Sequence, residues 1–158
     1  MSVFKTTFSR ALKVQPSNDA NIPYPTVITS GTTTDAVVEK LDDSAATFIT
    51  DNVKEGDIVY NITNNTAATV VKVSSEVRLG LNADIFTAIG QEYVIYQASP
   101  QTGLGNQGCY IYIGDAETNY EVVTIGGDQI IFNSPIKGTV LPVQVIKLIS
   151  GGSAIALW

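Results

Sequence analysis

Apolar side chains recur at every second position in short runs along much of the chain, the period of a strand with one buried face. The clearest run is CYIYIG at 109–114, where Cys109, Ile111 and Ile113 alternate with Tyr110 and Tyr112. Downstream, EVVTI and QIIFN flank Gly126-Gly127-Asp128, a combination that predicts a compact hairpin. SPIKG at 134–138 turns the chain into LPVQVIKLI, in which Val143 and Val145 alternate with Gln144 and Ile146. Gly151-Gly152 then permits one more reversal before AIALW.

The same reading applies upstream, with shorter signals. Glu55-Gly56-Asp57 predicts a turn into a strand at 58–61, and NITNNT at 61–66 reads as a polar loop. ATVVKV at 68–73 and EVRLGL at 76–81 are separated by Ser74-Ser75, with Val77, Leu79 and Leu81 sharing one face. QEYVIYQ at 91–97 closes this group, and Asp43 or Ser44 could cap one helical turn across AATFI. Short strands at this spacing suit a small barrel or sandwich. Gly-Asp, an apolar run and then an aromatic–Asn pair occur twice, ending at Tyr60-Asn61 and Phe132-Asn133, a hint of duplication.

The first residues differ. The even positions from Phe4 to Val14 fit a strand, Phe4, Phe8 and Leu12 fit a helical stripe, and Pro16, Pro23 and Pro25 bar a long helix. The predicted fold is all-β: an extended N-terminal arm at 1–34, a first β-barrel or sandwich module at 35–98, a Gly-rich linker at 99–108 and a second such module at 109–158.

Charge changes this picture. Net charge is −6, yet residues 1–13 carry Lys5, Arg10 and Lys13 and no acid. The other 145 residues hold six basic and fifteen acidic side chains. An acidic body repels phosphate and speaks against nucleic-acid binding, whereas a basic arm suits an acidic partner surface. Only 15% of residues are charged, which leaves a monomer weakly protected against association. No basic-then-apolar leader and no apolar run near twenty residues occur, so neither a signal peptide nor a membrane span is expected.

Candidate chemistry is sparse. The sequence has no histidine and one cysteine, Cys109, which removes His-based triads, structural zinc sites and disulfide frameworks. Cys109, at the head of an alternating strand, is expected to be a buried, inert thiol. Asp42-Asp43, Glu55 with Asp57, and Asp115 with Glu117 fall at predicted turns, where Asp serves the backbone. The N-x-Ser/Thr sites at Asn61 and Asn64 carry little weight without a leader. Gly103, Gly105 and Gly108 spell G-x-G-x-x-G, with Asp128 twenty residues on. A dinucleotide turn must open a helix, however, and this one opens into CYIYIG. No catalytic, cofactor-binding or metal-binding residue is therefore assigned, and the glycines are expected to serve the connection.

Three stretches carry a resemblance: FKTTFSRALKVQPSNDANIPYP, then KEGDIVYNITNNTAATV with ADIF and YVIYQ, and finally GGDQIIFNSPIKGTVLPVQVIKL with AIALW. Together they resemble small virion structural proteins of tailed bacteriophages, notably marine and cyanobacterial ones. The ending is similar to the β domain of head-spike base proteins, where G-x-x-L-P-V-x-V and a Leu-aromatic terminus recur. Here those positions are Gly138, Leu141, Pro142, Val143, Val145 and Leu157-Trp158, while Ser150-Gly151-Gly152-Ser153 replaces the usual Thr-rich segment. The resemblance implies a non-enzymatic capsid decoration, cement or spike-base protein, located in the virion and forming a symmetric homo-oligomer. It implies as partners copies of the chain itself and the major capsid protein or other virion proteins, with no cofactor, nucleic acid or membrane. The expected assembly interface comprises Phe4, Lys5, Phe8, Arg10, Leu12 and Lys13 of the arm, docking on the shell, and Leu157 and Trp158, packing between subunits. Two alternatives stand beside it: a neck, tail or baseplate component, and a glycan-binding β module using Tyr110, Tyr112 and Tyr120 as exposed rings.

Overall fold

A computed structural model describes residues 7–98, 108–116 and 118–158. Its described residues contain twelve strands and no helix, so the chain is all-β. In order they are β1 (Ala11–Lys13), β2 (Val27–Thr32), β3 (Lys40–Asp42), β4 (Ile58–Asn61), β5 (Thr66–Ser75) and β6 (Arg78–Leu81). There follow β7 (Glu92–Tyr96), β8 (Tyr110–Ile113), β9 (Tyr120–Thr124), β10 (Gln129–Phe132), β11 (Val145–Ser150) and β12 (Ala154–Leu157).

Six strands form one antiparallel sheet in the order β2-β7-β4-β5-β6-β3. Beyond β2 the chain reaches the far edge, where Asp35 bridges Asp42 and the Thr34 amide donates to the Asp42 carbonyl. The sheet thus curls until its edges meet at one end. Inside lie Leu41, Phe48, Val59, Val70, Leu79, Phe86, Tyr93 and Ile95. Leu79 and Leu81 point inward as their spacing predicts, but Val77 sits in the β5–β6 turn and is exposed. AATFI forms turns and no helix; Asp43 caps the first of them by accepting from the Ala45 amide.

The second module is a sandwich of two three-stranded sheets, β1-β12-β8 and β10-β9-β11. They are joined where Cys109 bridges Val145 and Tyr112 bridges Val140. The buried set Cys109, Ile111 and Ile113 faces Tyr120, Val122, Val145 and Leu148, so the alternation read from CYIYIG sets the core. β11 and β12 do not pair with each other: Gly151-Gly152 carries the chain from one sheet to the other. The two Gly-Asp segments also part company. β4 is central and wholly buried, whereas β10 is an edge strand with exposed isoleucines.

The residues between Ser9 and Thr26 tie the modules together. β1 adds to β12, and Val14 and Ile22 enter the sandwich core. Amides of Val14, Ser17 and Ile22 donate to carbonyls of Ala154, Leu148 and Ile146. On the other side, the Asp19 carbonyl accepts from Thr69 and Asn82 of the barrel, and the Ser17 hydroxyl donates to Ala67. Ala20 completes a small seam cluster with Ile58, Tyr60 and Ala67, against which Leu12 and Tyr96 pack. Val27–Thr32, read from sequence within the arm, is a strand of the barrel sheet.

Gly151 sits against the Tyr120 ring, where an added Cβ would lie 2.7 Å from Cδ1. Tyr120 is fully buried, so the ring has little room to yield. Gly151→Ala is expected to destabilise the fold by about 1–3 kcal/mol, the range for overpacking a filled core. Gly126→Ala, with no atom nearer than 3.6 Å, serves as the control; it should stay within about 0.5 kcal/mol in the same urea titration.

Candidate assembly surface

The arm residues and the C-terminus, both named from sequence, meet along one border of the sandwich. Ala11, Leu12 and Lys13 pair with Leu157, Ala156 and Ile155. The Ser9 amide donates to the Trp158 carbonyl, and the Trp158 amide donates to the Arg10 carbonyl. Rings lock the corner: Phe8 lies 5.7 Å from Tyr110 and Trp158 lies 5.8 Å from Tyr24 in an edge-on contact. The Arg10 guanidinium stands 5.2 Å from the Tyr24 ring centre and donates to the Pro25 carbonyl. Leu157 and Trp158 are thus engaged by the chain's own arm. Arg10 and Lys13 remain exposed there, while Phe8, Leu12, Leu157 and Trp158 are half-buried. Phe4 and Lys5 lie outside the described residues.

Of the acidic clusters read at turns, Asp57 and Asp115 do serve turns, whereas Asp42 lies in β3 and pairs with a side chain. Asp42 takes both a 2.5 Å and a 3.1 Å hydrogen bond from Arg78. That pairing raises the Arg78 pKa, through the hydrogen bond first and the charge second. Asp57 closes its turn by accepting from the Lys54 and Ala98 amides, and Asp115 accepts from the Ser153 amide. Glu76 folds over the 47–52 turn; the Thr50 hydroxyl, then its amide, and the Ile49 amide hold its carboxyl below the usual range. Among the described residues no group of three or more Cys, Asp and Glu side chains is placed to hold a metal ion. Glu117 lies outside the described residues.

Two sequence expectations change. Tyr120 is not an exposed ring: it is fully buried, donates to the Ser153 carbonyl at 2.8 Å and accepts from the Asp115 amide. A residue opposite a core strand is buried whatever its polarity when its hydroxyl finds a partner. Tyr110 and Tyr112 are half-buried. Of the glycine pattern, Gly103 and Gly105 lie outside the described residues, as does the linker up to residue 107. Gly108 has φ 66°, and a Cβ there would come 3.0 Å from the Val145 carbonyl. Its freedom lets the chain approach β11 just before the Cys109–Val145 bridge.

Sequence reasoning missed two features. One is a buried polar pair at the barrel closure, where the Tyr93 hydroxyl donates to Asp43 Oδ2 at 2.7 Å beneath Gly31. A Cβ on Gly31 would fall 2.6 Å from that hydroxyl, so the glycine makes the pair possible. Asp43 lies 50 residues from Tyr93, too far for spacing to reveal the contact. The other is an apolar edge: Ile130, Ile131 and Ile136 are all exposed, on and just beyond β10. Its signal was present in QIIF, four residues without a charge. No protein-family model, curated protein or solved structure matches the chain.

Tyr93→Phe leaves Asp43 Oδ2 buried without its hydroxyl donor. The expected loss is about 1–3 kcal/mol in a denaturant titration. Alkaline pH should act on the same interior. Burial pushes the Cys109 thiol up from 9.0 to about 12, and burial also raises Tyr60 and Tyr93, the latter further through Asp43. The unfolded chain would release these protons first, so the stability they contribute is complete below pH 9 and falls as pH rises toward 12. Urea midpoints should therefore decline above pH 9, with the earliest part of the decline absent in Cys109→Ala.

Proposed function

We propose that this chain is a non-enzymatic structural component of a tailed-bacteriophage virion, associated with the capsid as a decoration, cement or spike-base protein. It works as a symmetric assembly of copies of itself. The observation that carries this reading is the border where the basic arm and the apolar C-terminus join. Arg10 and Lys13 project there from a body of net negative charge, while Phe8, Leu12, Leu157 and Trp158 supply apolar surface beside them.

An exposed pair of cations on an acidic protein orients it toward a negatively charged face and away from a positively charged one. Half-buried rings beside those cations give short-range contact once the faces meet. The resemblance at 138–158 supports the same role. Its motif residues Leu141 and Val145 are buried, and its Leu-aromatic ending forms this border. The acidic body suits the outer side of a shell better than contact with packaged DNA.

Cosedimentation with purified phage heads that lack the chain tests the reading. Wild-type protein should bind in saturable, stoichiometric amounts, and Arg10→Glu with Lys13→Glu should weaken binding by about tenfold or more, in a salt-dependent way. Immunogold labelling of intact virions should place the chain on the head. Label confined to the neck, tail or baseplate, or no label on particles, would sink the capsid assignment.

A further inference from the structure

The sandwich has a second border, opposite in character to the first. β10 pairs with β9 on one side only, and among the described residues nothing pairs with its outer edge. The Thr124 amide donates to the Asp128 carbonyl, so Asp128 directs its backbone inward. By antiparallel alternation Ile130 and Phe132 do the same, which leaves Gln129, Ile131 and Asn133 with amides and carbonyls aimed outward. Natural edges are usually blunted by charge, proline or a bulge. This one has none from Gln129 to Asn133, its pairing with β9 is unbroken, and Ile131 is 54% exposed.

We propose that the outer edge of β10 is a self-association seam, where two copies of this chain pair antiparallel about a twofold axis centred on Ile131. The sequence of the edge is self-complementary in that register. Ile131 lies opposite its own copy and Gln129 opposite Asn133, and these are the residues whose backbone groups point outward. On the other face Ile130 lies opposite the second copy's Phe132. Phe132 already packs against the sandwich core, so pairing extends that core from one copy into the next.

Charge favours a second copy here over other faces of the same chain. Two chains of net charge −6 repel, and this edge brings them together without placing like charges across from each other. Asp128 meets Ser134, while the two Glu121 side chains stay three strand spacings apart, about 14 Å, beyond strong interaction at physiological salt. Ser134, at φ 42°, then turns the chain off the edge and limits the paired stretch. A seam this short buries less than a standard interface, so the dimer should be reversible and concentration-dependent.

The inference rests on the self-assembly half of the reading above and is independent of the virion. Sedimentation velocity of the full chain, from micromolar to millimolar, should show a reversible monomer–dimer equilibrium. Ile131→Lys should weaken it by about tenfold or more with the circular dichroism spectrum unchanged. In a parallel arm, Ile131→Cys should form a disulfide-linked dimer under mild oxidation, since facing Cα atoms in a hydrogen-bonded pair lie about 5.5 Å apart. Ile89→Cys, even more exposed but on the barrel, should form far less. If Ile131→Lys associates as wild type does, or Ile131→Cys links no faster than Ile89→Cys, the seam is wrong and self-assembly runs through another face. A wild-type monomer at every concentration overturns the seam and the homo-oligomer together, leaving the binding to heads to be judged by its own assay.

Discussion

The segment from Ser9 to Thr26 must satisfy its backbone on two modules at once, and the rest of the structure depends on that constraint. Without it the sandwich would lose strand β1 and the apolar side chains of Val14 and Ile22. The outer face of the barrel would lose its cover over Ile58, Tyr60 and Ala67. Prolines at 16, 23 and 25 keep this segment extended and remove donors that a regular sheet would demand. Its amides pass from the sandwich to the barrel along the segment. The Ser17, Ile22 and Tyr24 amides reach Leu148, Ile146 and Gln97 in turn.

That arrangement gives the sandwich two borders with different chemistry. One is the arm with the C-terminus, basic and ringed with aromatic side chains; the other is β10, apolar and uncharged. Sheet order separates them, since β1 heads one three-stranded sheet and β10 heads the other. The proposed shell contact and the proposed seam thus fall on different sheets of the sandwich. The barrel contributes in another way: its polar closure, with Asp43, Tyr93 and Gly31 in mutual contact, fixes where the chain leaves β2 for β3.

Much of the local structure was legible in the sequence because period-2 burial is a local property. Cys109, Ile111 and Ile113 announced a core strand, and Gly126-Gly127-Asp128 announced the β9–β10 hairpin. Other residues misled for a physical reason. Val77 follows the alternation of its neighbours but falls in the turn, because β5 runs two residues further than its apolar run suggests. Tyr120 looked available to a ligand, yet its hydroxyl finds the Ser153 carbonyl 33 residues away and the ring is buried. The candidate site was only half legible. The charges and apolar residues of both ends were visible in sequence, but their meeting was not.

By itself the sequence determined the all-β class, most of the turn positions and the inward set of most strands, since alternation, glycine and proline act within a few residues. It also excluded histidine chemistry and fixed the contrast between a basic start and an acidic body. Tertiary structure alone decided which strands lie at an edge. Gly-Asp followed by apolar residues and aromatic–Asn ends in a central strand at Tyr60-Asn61 and at an open border at Phe132-Asn133. The local patterns are alike, and strand neighbours come from distant parts of the chain, so only the folded sheet order can tell a buried strand from an exposed one.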